Sequence, residues 1–171
     1  MTKVNGRKTV GGDGTVLFYD NRGRFHRLDG PALEWSDGTK MWYRNGKRHR
    51  EDGPALEMWE GSSWWFRNGK IHREDGPAID RAGGFKAWYR NGLPHREDGP
   101  AIEYEDGKRE WYLNGKRHRE GGPAVEKPDG SKEWWVRGKQ MTESKFRAAH
   151  PEALAASPVA KKRKAKTPGI G

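Results

Sequence analysis

The sequence predicts an all-β fold, an elongated antiparallel meander of tandem hairpins, on three observations. The phrase Trp-Tyr-Arg-Asn-Gly-Lys-Arg-His, residues 42–49, recurs in variant form, with His26, His49, His72, His95 and His118 each 23 residues apart. Self-similarity at such a period marks a repeat architecture. Each unit also carries two glycine turns, an Asp-Gly type (Asp37-Gly38, Glu60-Gly61, Gly83-Gly84, Asp106-Gly107, Asp129-Gly130) and an Asn-Gly type (45–46, 68–69, 91–92, 114–115). Such dipeptides between alternating residues signal tight hairpins, because a type I′ turn needs positive φ at both central positions. Third, an aromatic pair stands between the two turns of every unit. Large aromatic side chains can hold a thin sheet together in a chain that is only 32% hydrophobic.

Residues 1–18 read as an incomplete leading unit whose role is to cap the sheet edge, as terminal repeats must. Repeats follow at about 19–41, 42–64, 65–87, 88–110 and 111–133, with a partial unit at 134–141. Each carries Asp-Gly-Pro-Ala or, in the fifth, Gly121-Gly122-Pro123-Ala124. With two-residue loops at every turn, Leu33 faces Trp42, Leu56 faces Trp65, Ile79 faces Trp88, Ile102 faces Trp111 and Val125 faces Trp134. Adjacent strand residues point to opposite faces, so each Trp shares a face with an aliphatic residue and the neighbouring aromatic shares the other with Ala. The expected product is one meander of about ten strands. From Thr142 the composition shifts to Ala, Glu and Lys, which predicts a short helical segment over 142–157. It is interrupted near His150 by Pro151. Residues 158–171 read as a disordered basic tail.

The totals narrow the function classes. There is no Cys, hence no disulfide framework, and no apolar run long enough to span a membrane. Both fit an intracellular, cytoplasmic protein. The net charge is +10. Residues 142–171 hold seven Lys or Arg against two Glu, so half of the imbalance lies in the last 30 residues. The run Lys161, Lys162, Arg163, Lys164, Ala165, Lys166 is open to three readings: a nuclear import signal in a eukaryotic host, a nucleic-acid arm, or a solubility feature.

The phrase aromatic-x-Asn-Gly-Lys-x-His resembles the MORN repeat, a 23-residue β-hairpin unit. The match runs over about residues 18–141. Two departures mark this chain as a divergent variant. The family's Gly after His is Arg here (Arg27, Arg50, Arg73, Arg96, Arg119), and Asp-Gly-Pro-Ala is inserted before the next strand. Similar arrays occur in phage, large-virus and bacterial proteins. The resemblance implies a scaffold or tether that binds proteins, and sometimes acidic lipid head groups. It implies no catalysis.

The candidate chemical groups fit that expectation. One His per hairpin spaces the five imidazoles along the array, whereas a metal needs several ligands converging within about 2.0–2.2 Å. Structural packing of each imidazole against Trp42, Trp65, Trp88 or Trp111, with a hydrogen bond to the Asp-Gly-Pro loop, is the expected role. Trp134 stands at the equivalent place in the partial unit. Arg-Glu-Asp triplets recur unchanged at 50–52, 73–75 and 96–98, unlike a catalytic site, which is normally single. No catalytic residue, metal site or cofactor is therefore expected. The candidate binding residues are Arg44, Arg67 and Arg90 before the Asn-Gly turns, Lys47, Arg48, Lys70, Lys116 and Arg117 after them, and the basic run at 161–166.

The expected function is a non-enzymatic scaffold that binds another protein through an extended β-surface, as a phage-type protein acting on a host factor would. The alternative is nucleic-acid binding through the basic sheet edge and tail. Acidic phospholipid or nucleotide binding is third, and edge pairing offers a route to a homodimer.

Overall fold

The computed structural model describes residues 7–152. It is all-β apart from one short helix, and among the described residues thirteen strands bond into one antiparallel sheet in meander order. The helical reading beyond Glu152 and the tail 158–171 lie outside the described residues.

The leading hairpin pairs Arg7–Val10 with Val16–Tyr19, Thr9 opposite Leu17. Each repeat then adds two short strands, such as Ile102–Glu103 and Arg109–Glu110. The register differs from expectation by one residue. Ile102 faces Glu110, Leu33 faces Met41, Leu56 faces Trp64, Ile79 faces Ala87 and Val125 faces Glu133.

The loop causes the shift. Tyr104 N–H donates to Lys108 C=O and Gly107 N–H donates to Tyr104 C=O, which leaves three residues in the loop. Gly107 has φ +86°, while Asp106 is not in the left-handed region. That is a type I turn followed by a left-handed glycine. The Asp carboxylate favours it by accepting from the N–H two residues on, Asp106 from Lys108 and Asp37 from Thr39. The Asn-Gly turns do have two-residue loops. Asn114 and Gly115 sit at φ 49° and 79°, and Tyr112 faces Arg117.

A single ladder is also replaced by two. The hairpins at 43–48, 66–71, 89–94 and 112–117 form separate two-stranded ladders beside the main sheet. Trp sits at the corner between the two ladders. Trp111 N–H donates to Ala124 C=O in the main sheet, and its own C=O accepts from His118 N–H in the small hairpin. Successive hairpins bond to each other, as in Gly69 N–H to Arg48 C=O and Arg50 N–H to Phe66 C=O. Ala32, Ala55, Ala78, Ala101 and Ala124 are completely buried, one per repeat, where the Asp-Gly-Pro-Ala loop re-enters the sheet.

The helix Glu143–Ala149 closes the far end. Thr142 caps it, its side chain accepting from Lys145 N–H, and Glu143 pairs with Arg147 one turn later. Phe146 is buried against Trp134, ring centroids 4.7 Å apart.

Candidate binding surfaces

Every repeat closes a loop around its Arg through a bond from Nη1 to the Pro C=O, and the first four add a bond from Nε to the Asp that Gly121 replaces in the fifth. In the second full loop, Arg50 Nε donates to Asp52, Nη1 donates to Pro54 C=O and to Glu57, and the guanidinium lies over the Trp42 ring at 4.1 Å. Arg73, Arg96 and Arg119 lie over Trp65, Trp88 and Trp111 at 4.1, 3.9 and 3.8 Å, and Arg27 over Phe18 at 4.0 Å. A planar cation with five donors fits this mix of ring and oxygen partners. The glycine three residues on permits the approach, since a Cβ on Gly53 would fall 2.8 Å from Arg50 Cζ. The expected imidazole-on-indole packing is thus corrected: the guanidinium one residue on takes the ring face. The signal for these arginines in the sequence is their recurrence directly after the repeat His in all five units.

The histidines serve two neighbours. Nδ1 of His26, His49, His72 and His95 accepts from the backbone N–H of Asn45, Asn68, Asn91 and Asn114, at 3.0–3.1 Å, and His118 from Arg137 at 3.3 Å. The Nδ1 partner lies in the next repeat's tight turn, and the expected bond to the Asp-Gly-Pro loop falls to the other ring nitrogen, as in Nε2 of His49 to Glu51. A backbone N–H can only donate, so the neutral ring carries its proton on Nε2. Nε2 of His49 and His72 lies 3.3 Å from Glu51 and Glu74 in the loop. His95 faces Glu97 at 3.4 Å without an aligned bond.

Arg44, Arg67 and Arg90 are exposed and lie 3.3, 3.6 and 4.0 Å from Glu51, Glu74 and Glu97. Arg48 donates to the Tyr43 hydroxyl and lies over Phe66. Arg117 donates to Tyr112 and Glu110. Lys47, Lys70 and Lys116 are exposed on the Asn-Gly hairpins. Lys161, Lys162, Arg163, Lys164 and Lys166 lie outside the described residues.

Between successive loops open four clefts of about 590, 680, 590 and 930 Å³. Each has a Trp in its lining and carboxylates of the Arg-Glu-Asp loops on its walls. The side chains of Asp52, Asp75 and Asp98 are 83–84% exposed. Hydrogen bonds from Arg50, Arg73 and Arg96 hold their carboxyls below the ordinary aspartate value. Compared with protein-family models the chain matches none, and a search of curated proteins finds no significant relative.

One buried carboxylate breaks the repeat symmetry. Glu110 takes bonds from Lys108 Nζ at 2.6 Å, Tyr112 Oη at 2.8 Å and Arg117 Nη2 at 3.3 Å. Burial opposes its ionisation, but these bonds outweigh burial and hold its carboxyl below the usual glutamate value. Lys108 is raised by the same pairing. Among the described residues no group of three His, Cys, Asp or Glu side chains converges as a metal site requires.

Charge is sorted by position within the repeat. The Asn-Gly and equivalent hairpins (19–25, 43–48, 66–71, 89–94, 112–117, 135–140) hold twelve Lys or Arg and one acid, Asp20. The loops (26–34, 49–57, 72–80, 95–103, 118–126) hold thirteen acids and five Arg. The fold gathers the two sets into two separate rows.

Proposed function

We propose that the chain is a non-enzymatic scaffold, a divergent MORN-like array, that grips another protein along its row of Arg-Glu-Asp loops. The observation that carries this reading is the series of four like-built clefts, one between each two successive loops, whose walls present both signs of charge. A polypeptide can match alternating acid and base with its own side chains and amides; a polyanion would meet the exposed loop carboxylates first. Shallow contacts that are weak singly add up when repeated along one rigid surface.

The absence of a unique reacting group in this proposal is supported by the commitments of the repeated side chains. Each His and loop Arg is occupied in holding one unit to the next or closing its own loop. No helix among the described residues is long and apolar enough to cross a membrane. An intracellular location, which rests on the lack of cysteine and of a membrane-length apolar run, and a phage-type role against a host factor, which rests on the resemblance, form part of this proposal.

The test is retention of a protein partner from source-cell lysate by the immobilised full chain after nuclease treatment, compared with the triple variant Glu51→Gln, Glu74→Gln, Glu97→Gln. The wild type should keep a defined protein that the variant loses. Equal capture by both, or capture that vanishes with nuclease, rejects the loop row as the contact.

A further inference from the structure

The hairpin row carries a second surface that the loop clefts do not explain. The stem of Lys47 lies on Gly69 of the next tight turn, its Cβ, Cγ and Cδ 3.7–4.0 Å from where a Cβ would stand. Lys70 lies on Gly92 and Lys116 on Gly138 in the same way, Arg24 takes the place on Gly46 and Leu93 on Gly115. Bare glycine lets each stem lie down against the neighbouring turn, so the side chains stand in register, one per repeat. Two strands per unit set the rungs about 10 Å apart.

Lys47, Lys70, Lys116 and Lys139 are exposed, and among the described residues none has a carboxylate at ion-pair distance. Arg24, at one end, is already paired with Asp20 at 2.7 Å. Among the described residues, 14 of the 24 Lys and Arg other than these four lysines have a carboxylate at ion-pair distance, whereas this row leaves all of its lysines open to solvent.

We infer that this lysine row is a binding edge for double-helical nucleic acid, contacting the phosphate backbone without reading sequence. A duplex carries one charge per about 1.7 Å of axis, so each interval between rungs spans about six phosphates and every lysine finds one in reach. The hairpin aromatics argue for a duplex over a single strand. Tyr43, Phe66, Tyr89 and Tyr112 are buried or half-buried in the ladder, so no open ring platform is offered to an unstacked base. A flat anionic bilayer would reward a broad face with apolar side chains to insert. This hairpin row offers one exposed apolar rung, Leu93.

The experiment uses the full chain and a 30-base-pair DNA duplex of arbitrary sequence, with binding measured from 50 to 200 mM salt. Three proteins are compared: wild type; Lys47→Gln with Lys70→Gln and Lys116→Gln; and a tail variant with Lys161, Lys162, Arg163, Lys164 and Lys166 all changed to Gln. Glutamine keeps the Cβ, Cγ and Cδ that rest on glycine, so folding is retained and a thermal melt confirms it. Each lysine that neutralises a phosphate adds about 0.9 to the slope of log affinity against log salt. The hairpin variant should therefore lower the slope by about 2.7, removing about a 40-fold part of the affinity lost over that range. The tail variant should keep that hairpin-dependent part. A slope unchanged by the hairpin substitutions overturns the inference, as does loss of all duplex binding with the tail variant. Lysine-dependent binding to vesicles rich in anionic lipid, without duplex binding, also overturns it. The loop substitutions Glu51→Gln, Glu74→Gln and Glu97→Gln leave all three lysines in place, so this result and that for the protein partner stand or fall separately.

Discussion

Nδ1 of His72 accepts a hydrogen bond from the backbone N–H of Asn91, 19 residues on, at 3.1 Å. The same bond runs from each repeat His to the first residue of the following tight turn. It satisfies an N–H that the left-handed turn leaves outside the ladder, and it couples neighbouring units. His72→Ala should therefore destabilise the array by about 1–2 kcal/mol, from the lost acceptor and the vacated, mostly buried ring. Urea denaturation followed by tryptophan fluorescence reads it. An unchanged midpoint would show that solvent replaces the imidazole without loss.

The tight turn itself makes a sharper test. Asn91 sits at φ 53°, a region that costs a residue with a Cβ about 1–2 kcal/mol and that Asn tolerates best after Gly. Asn91→Ala should lower stability by about 1 kcal/mol, while Asn91→Gly should stay near the parent. At the other turn type the ranking differs. Asp106 lacks positive φ, so Asp106→Ala loses only the carboxylate's bond to Lys108 N–H, about 0.5–1 kcal/mol.

That contrast explains how far the fold was legible. Asn-Gly at 114–115 fixes a two-residue loop because both residues accept positive φ, so Tyr112 opposite Arg117 follows from the sequence alone. Asp-Gly at 106–107 is ambiguous. The aspartate can join a left-handed pair or cap its own turn, and the cap won, moving Ile102 from Trp111 to Glu110. Trp42, Trp65, Trp88 and Trp111 thereby became corners and not sheet residues, while Trp134 stays in the strand Lys132–Val136. The separate Asn-Gly ladders were not legible, because period and turn chemistry leave the bend at Trp111 open. Arg50 on Trp42 was hidden for a related reason: a contact across a loop has no spacing rule. The lysine row was readable in part, since Lys47, Lys70 and Lys116 share one phase of the 23-residue period. That their stems rest on glycines of the next repeat needed coordinates.

The loop arginine is the next test. Arg73 joins Asp75, Pro77 C=O and the Trp65 ring in one planar group, which the point charge of lysine cannot reproduce. Arg73→Lys should cost about 1–2 kcal/mol although the charge is kept. Gly76→Ala should produce a similar loss, because its Cβ would fall 2.9 Å from Arg73 Cζ and lift the guanidinium from the ring. In the double variant the two losses should fall short of additive, since both act on one contact. Full additivity in a double-mutant cycle would refute the shared cause.

Acid should loosen the array through its aspartates. A backbone bond from Arg24, above all, pulls Asp20 to about 2, and Asp52, Asp75, Asp98 and Asp129 are also lowered by hydrogen bonds. Each holds its proton less tightly folded than unfolded. Its stabilising contribution is complete above the unfolded value of about 4 and disappears as pH falls through the lower folded value. The melting temperature should thus decline between about pH 4 and pH 2. Replacing Asp52, Asp75 and Asp98 with Asn should flatten the decline while lowering the melting temperature at neutral pH. An equally steep decline in that variant would assign the acid sensitivity to other groups.

The terminal helix supplies the last prediction. In repeats two to five an Arg covers the Trp of its unit, but Trp134 has no following Arg-Glu-Asp loop. Phe146 and Arg147 take that place, the ring at 4.7 Å and the guanidinium at 5.9 Å. Phe146 is 2% exposed, so Phe146→Ala removes most of the apolar contact that docks a seven-residue helix too short to persist alone. In an array whose units contact only their neighbours, the damage should stay local. Hydrogen exchange should rise at Lys139–Met141 and along the helix, while the amides of Trp65 and Trp88, bonded to Ala78 and Ala101, keep their protection. Protection lost evenly from end to end would mean that the array unfolds as one unit and that the helix is integral to its core.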